Sequence, residues 1–236
     1  MNEYPEIDEF EDESKEDHFL LRFIKKFSKT LITIFIILGL LYIYGGIREF
    51  FMFQETPETS FQVPTERLLD GELITLPLNI FIIRNERDGS RKSNEDVERF
   101  VSEASLVWDQ AIINLEVNNI EEINLSDEEI NYFLSSTTEF VTSFENYNKD
   151  IINVFLLRRL AGINGVAFMG LNTLAVADLT TNYDFRVLAH EVGHLLGLGH
   201  ITLSKKRLMH QGSGGYMLTL KEARIAREKA IKLIDN

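Results

Sequence analysis

The 236-residue chain has no cysteine, which removes disulfide scaffolds, thiolate metal clusters and cysteine nucleophiles together. Any metal ion must therefore be held by His, Asp or Glu. Four prolines and fourteen glycines are too few for a low-complexity chain, and the length fits one ordinary domain with additional segments. Clustered positive charge is missing as well: 24 Lys and Arg stand against 37 Asp and Glu, a formal charge of −13. Nine of the acidic residues lie between Glu3 and Asp17 with Lys15 as their lone counter-charge, so most of the imbalance belongs to the head of the chain. That head reads as solvating sequence that packs no core. The mildly acidic remainder excludes a nucleic-acid partner, because phosphate binding needs clustered Lys and Arg.

Charge is absent altogether from Thr30 to Ile47, TLITIFIILGLLYIYGGI, between Lys29 and Arg48. At ~1.5 Å per residue this run spans roughly 27 Å, close to the ~30 Å hydrocarbon core of a bilayer, and the flanking cations can snorkel across the difference. Tyr42, Tyr44, Phe50, Phe51 and Phe53 supply interfacial aromatics. No small-x-small cleavage site follows, so the run is expected to be an uncleaved anchor. Arg22, Lys25, Lys26 and Lys29 precede it, whereas only Arg48 and Arg67 follow within about twenty residues, which places the N-terminus in the cytoplasm. The expected organisation is an acidic then basic cytoplasmic segment (1–29), a single transmembrane signal-anchor helix in the lipid bilayer (30–47), a juxtamembrane stalk (48–71) and an extracytoplasmic folded domain (72–236).

Within that domain LPLNIFIIRN (76–85) predicts a strand ended by the turn Asp88-Gly89. Ser93 and Asp96 form a capping-box pattern opening a helix through about Leu115, with Val97, Phe100, Val101, Ala104, Val107, Trp108, Ala111 and Ile112 on one face. A strand around 115–124 precedes an acidic helix start at Ser126 to Glu129, and that helix is expected to run to about Phe144. Strands are predicted at 151–157 and in 165–178. Thr181 and Asn182 are expected to cap the helix DFRVLAHEVGHLLG, which Gly197 ends. Thr219 and Glu222 form another capping box and open an amphipathic helix to Ile234.

Histidine is scarce until it clusters. Four of the five fall between His190 and His210, and three make the pattern HEVGHLLGLGH (190–200). On a helix, residues four apart differ by only about 40° in projection, so His190 and His194 can converge on one ion. Glu191 lies about 60° from His194, beside the ligand face and short of joining it. Gly197 permits a left-handed residue, after which the chain can turn and bring His200 back as a third ligand. Three neutral nitrogens leave a fourth tetrahedral position open, the mark of a catalytic rather than a structural zinc. Lys205, Lys206 and Arg207 read as a solvated loop and His210 as a loop residue. Glu222, at a spacing that a glutamate ligand could use, is already explained by its capping role.

HEVGHLLGLGH, followed nine residues later by Met209 in RLMHQGSGG, resembles the metzincin zinc endopeptidases, with a matrixin-like flavour. The resemblance implies an α+β domain: a twisted, mostly parallel mixed sheet with an antiparallel edge strand that binds substrate, here within 165–178, an active-site helix, a Met-turn at Met209 and a C-terminal helix. It further implies that Tyr216 and Met217 sit where the family builds the wall of its specificity pocket. There are departures. No histidine occurs between His18 and His190, so the second, structural zinc site of vertebrate matrixins has no ligands, and Gln211 stands where astacin-like relatives carry a zinc-supplementing tyrosine. Calcium sites stay undetermined.

The function these residues imply is a membrane-anchored, extracytoplasmic zinc-dependent endopeptidase. One Zn²⁺ would be held by His190, His194 and His200, Glu191 would act as general base, and a polypeptide would be the substrate. Two alternatives share the ligands: a non-catalytic, membrane-displayed zinc-binding interaction module, and a zinc hydrolase of a non-peptide amide. The topology is directly testable. Protease added to intact cells should remove the C-terminal domain and spare a tagged N-terminus; the reverse pattern, or a secreted fragment beginning near residue 47, would overturn the anchor.

Overall fold

Three apolar runs and the more polar stretch 113–124 become the parallel strands of one mixed sheet. The computed structural model describes residues 66–181, 183–212 and 214–235. The expected segments 1–29 and 30–47, most of the stalk and Asn182 lie outside the described residues. Among the described residues no helix is long and apolar enough to cross a membrane. The elements are β1 (Ile74–Arg84), α1 (Asn94–Trp108), β2 (Ile113–Asn124), α2 (Asp127–Ser135), α3 (Thr137–Ser143), β3 (Ile152–Leu157), β4 (Gly165–Phe168), β5 (Thr173–Ala177), α4 (Asp184–Leu195) and α5 (Leu220–Ile234). The sheet order is β2-β1-β3-β5-β4, with β4 antiparallel to β5 and the remaining pairs parallel. This is the α+β, mostly parallel arrangement with an antiparallel edge that the sequence predicts.

Both faces of the sheet are covered, which is why β3 and β5 are buried at every position. Side chains alternate between the faces. Phe81 and Ile83 of β1, Phe155 and Leu157 of β3, and Ala175 and Ala177 of β5 share one core with Ile130 and Phe133 of α2 and Phe140 and Val141 of α3. Rings dominate it: Phe155 lies 4.9 Å from Phe81 and 5.0 Å from Phe133 between centroids. The opposite face packs under α1 and α4, and α1 contacts both β2 and α4. The two predicted capping boxes form, at Ser93–Asp96 and Thr219–Glu222, and the acidic helix start at Ser126–Glu129 makes a third, each satisfying two otherwise orphaned backbone donors.

Three expectations need correction. The first helix stops at Trp108 instead of Leu115, because a 3₁₀ turn at Asp109–Ala111 and a left-handed Ile112 (φ 55°) release the chain into β2, whose Ile113 pairs with Ile74. The helix expected over 126–144 is broken at Ser136 into α2 and α3. The edge strand expected within 165–178 is Gly165–Phe168, and a turn through Asn172 (φ 45°) brings the chain back as the inner strand β5. Finally, Thr181 does not cap α4. It exchanges hydrogen bonds with the Asn164 side chain, and α4 opens after Tyr183 without a side-chain cap.

Gln110, in the turn after α1, holds this layer to the C-terminal third. Buried at 2% exposure, its amide donates to the carbonyls of Val107 (2.8 Å) and Tyr216 (2.9 Å) and accepts from the Leu218 N–H (3.1 Å). Truncation leaves buried polar groups unpaired on the neighbouring segment, which costs ~1–3 kcal/mol. Gln110→Ala should therefore lower the unfolding free energy by that amount, read as a lower urea midpoint at an unchanged m-value.

Candidate metal centre

Helix α4 carries the pattern on its buried side: His190 and Glu191 are 5% and 7% exposed, while His194 is intermediate and His200, beyond the helix, is exposed. The helix ends in a Schellman motif. Gly197 takes φ 82°, its N–H donates to the His194 carbonyl (3.0 Å), and the Leu198 N–H reaches the Gly193 carbonyl (2.9 Å). A residue with a Cβ is strained there, so the glycine is what allows the chain to reverse within two residues. The reversal does two things. It presents the Leu198 carbonyl to His194 Nδ1 at 2.9 Å, and it returns His200 to the histidine pair.

The three Nε2 atoms converge. His200 Nε2 lies 3.1 Å from Nε2 of both His190 and His194, and ligand atoms of all three residues fall within 4.8 Å of one another. Three nitrogens on a tetrahedral zinc with Zn–N bonds of ~2.05 Å would be about 3.3 Å apart, so the geometry fits that ion. Bonds from Nδ1 to backbone carbonyls set the tautomers. His190 Nδ1 donates to the Leu208 carbonyl at 2.7 Å and His194 Nδ1 to that of Leu198, which leaves each Nε2 lone pair for a metal. Burial lowers the pKa of His194 and pulls that of His190 down to about 4, keeping both neutral as ligation requires. Burial acts oppositely on Glu191, raising it to about 7 against the pull of Arg186.

The loop after His200 closes beneath the helix. Ile201 N–H donates to the Met209 carbonyl (3.0 Å), and Met209 is fully buried against α4. A Cβ on Gly193 would lie 2.6 Å from Met209 Sδ and 3.6 Å from the Trp108 ring, so the absent side chain is what lets the methionine seat. Arg186, one turn before His190, binds the same loop. Its guanidinium donates to the carbonyls of Leu208 (2.7 Å), His210 (2.8 Å) and Gly215 (3.0 Å).

A cleft of about 510 Å³ opens over the histidines, between α4 and the edge strand β4. Its lining includes Glu191, Arg186, Val166, Gln211 and Gly212, and not Tyr216 or Met217. Those two lie in a segment held by backbone bonds: Leu208 N–H to the Met217 carbonyl (3.0 Å), Met217 N–H to that of Lys206 (2.9 Å) and Gln110 to that of Tyr216. Lys205 and Lys206 are solvated, whereas Arg207 pairs with Glu222, which also caps α5. Sequence reasoning missed Arg186; the available signal was a lone arginine four residues before His190 and therefore on the helix face that carries the histidine pair.

Residues 94–201 match the model of the reprolysin-like metallopeptidases, family M12B. No curated protein matches the chain. Among solved structures, mature mirolysin of Tannerella forsythia in complex with a cleaved peptide is similar in fold: TM-score 0.51 at 12% identity, over 70% of this chain and 96% of that one. A promirolysin mutant from the same organism gives 0.50 at 12% identity, over 72% and 86%. A chain in a chaperone–substrate complex gives 0.52 at 15% identity over 69% of this chain, which spans only 35% of that one. Fold, family match and histidine group together define a zinc metallopeptidase-like domain, with a triad compatible with one catalytic zinc. The seating of Met209 is open to test. Gly193→Ala should force the sulfur out of its position and cost ~1–3 kcal/mol of stability, read from denaturant unfolding.

Proposed function

We propose that the chain is a membrane-anchored zinc endopeptidase whose catalytic domain lies outside the cytoplasm. The observation that carries the peptidase reading is the convergence of three histidine Nε2 atoms beside a buried glutamate at the floor of an open cleft. Bound zinc supplies Lewis acidity toward the scissile carbonyl and lowers the pKa of a coordinated water. His190, His194 and His200 would hold that ion; the carbonyls of Leu208 and Leu198 orient the first two rings. The Glu191 carboxylate takes a proton from the attacking water and returns it to the leaving amine, a task suited to a group whose pKa lies near 7. A polypeptide would dock along β4, whose outer edge has no strand partner among the described residues and whose residues line the cleft. Anchoring and orientation rest on the charge-free run 30–47 and its basic flank. The matrixin-like assignment rests on the spacing from His190 to Met209.

Ligand and base separate on substitution. In the full chain, His200→Ala should lower zinc occupancy, and activity should fall with it. Glu191→Ala should retain a full equivalent of zinc and a folded domain yet lose peptide cleavage by ~10²–10⁴-fold. Wild-type rates in Glu191→Ala would sink the mechanism, and a zinc-loaded wild type that cleaves nothing would favour the binding module.

A further inference from the structure

We infer that Arg186 makes the cleft a receptor for a substrate carboxylate next to the scissile bond. The inference rests on the peptidase reading and adds the substrate class to it. Arg186 is 4% exposed, yet among the described residues no carboxylate lies within salt-bridge distance of it. Arg84, Lys92 and Arg207, each less deeply enclosed, all face one: Glu122, Asp184 and Glu222 respectively. A buried cation without a counter-ion is costly, and carbonyl dipoles offset only part of that cost.

The donor inventory points the same way. A guanidinium has five N–H donors in a planar fork. Nε and Nη2 serve the three loop carbonyls, and Nη1 makes no hydrogen bond with the described residues. Arg186 lines the cleft beside Val187, His190 and Glu191, so the unused donors belong to a residue that borders the place where substrate must lie. Glu191 is the one acidic residue in that lining; it acts on Arg186 through space without a hydrogen bond and is assigned to proton transfer, which leaves the unused donors of the fork to be matched from outside the protein. Carboxylate is the anion that a polypeptide carries, and the arginine fork suits it. Two sources share this chemistry: an Asp or Glu side chain flanking the scissile bond, or the free C-terminus of a substrate cut near its end.

The test uses the full zinc-loaded chain and peptides blocked at both ends, varied at the two residues flanking the cleaved bond. Asp or Glu at one flanking position should be cleaved about tenfold or more faster than Asn or Gln, the scale of one hydrogen bond to a charged group. Cleavage confined to peptides with a free C-terminal carboxylate, and lost on amidation, supports the same receptor with the chain end as its ligand. Equal rates for Asp and Asn, or an apolar preference, overturn the inference and leave the peptidase reading standing. No cleavage of any peptide overturns both. Arg186→Gln should abolish the acidic preference with a rise in KM. Because Arg186 also braces the loop, the Asp-to-Asn comparison in the wild type decides the matter if that variant does not fold.

Discussion

One oxygen atom ties the site together. The Leu208 carbonyl accepts from His190 Nδ1 and from Arg186 Nη2, both at 2.7 Å, so one of the three converging histidines and the residue one turn before it share a single anchor on the following loop. The bond to His190 selects the tautomer that frees Nε2, and the bond to Arg186 holds the loop against the helix that carries the ligand. The loop in turn returns Met209 beneath the helix and, through the Met209 carbonyl, fixes the residue after His200. Ligand orientation and loop closure are therefore one event rather than two.

Packing makes that closure possible. Gly193 has no side chain where Met209 sulfur rests, and Trp108 at the end of α1 lies beside the same spot. Gln110, two residues beyond, bonds to Tyr216 and Leu218 and so connects α1 to the far end of the loop. The helix that looks remote from the histidines in sequence thus buttresses them. Its early termination at Trp108 is what exposes Gln110 for the task.

Burial is the common source of the site's electrostatics. It keeps His190 and His194 neutral, holds Glu191 near the middle of the physiological range, and encloses the Arg186 cation with no carboxylate of the described residues in salt-bridge reach. Each of these states would be lost in water. The antiparallel edge strand β4, only four residues long, closes the cleft on the side facing α4, and the full burial of β5 behind it gives that edge a rigid backing.

Local sequence by itself determined what depends on neighbours along the chain. The three capping boxes follow from side chains reaching donors three residues away, the positive φ of Gly197 from the absence of Cβ, and the helical spacing of His190 and His194 from the 3.6-residue turn. The strand runs 76–85 and 151–157 were legible from β-branched and apolar content. Tertiary structure alone decided the rest. Whether 165–178 was one strand or two depended on pairing with β3, and where α1 stopped depended on Ile113 finding Ile74. The need for glycine at 193 came from a methionine sixteen positions later in the chain. Arg186 could be read as a charge on a helix, but its burial, its three carbonyl partners and its lack of a counter-ion exist only when the loop 208–215 folds over it, because long-range contacts carry no local signature in the order of residues.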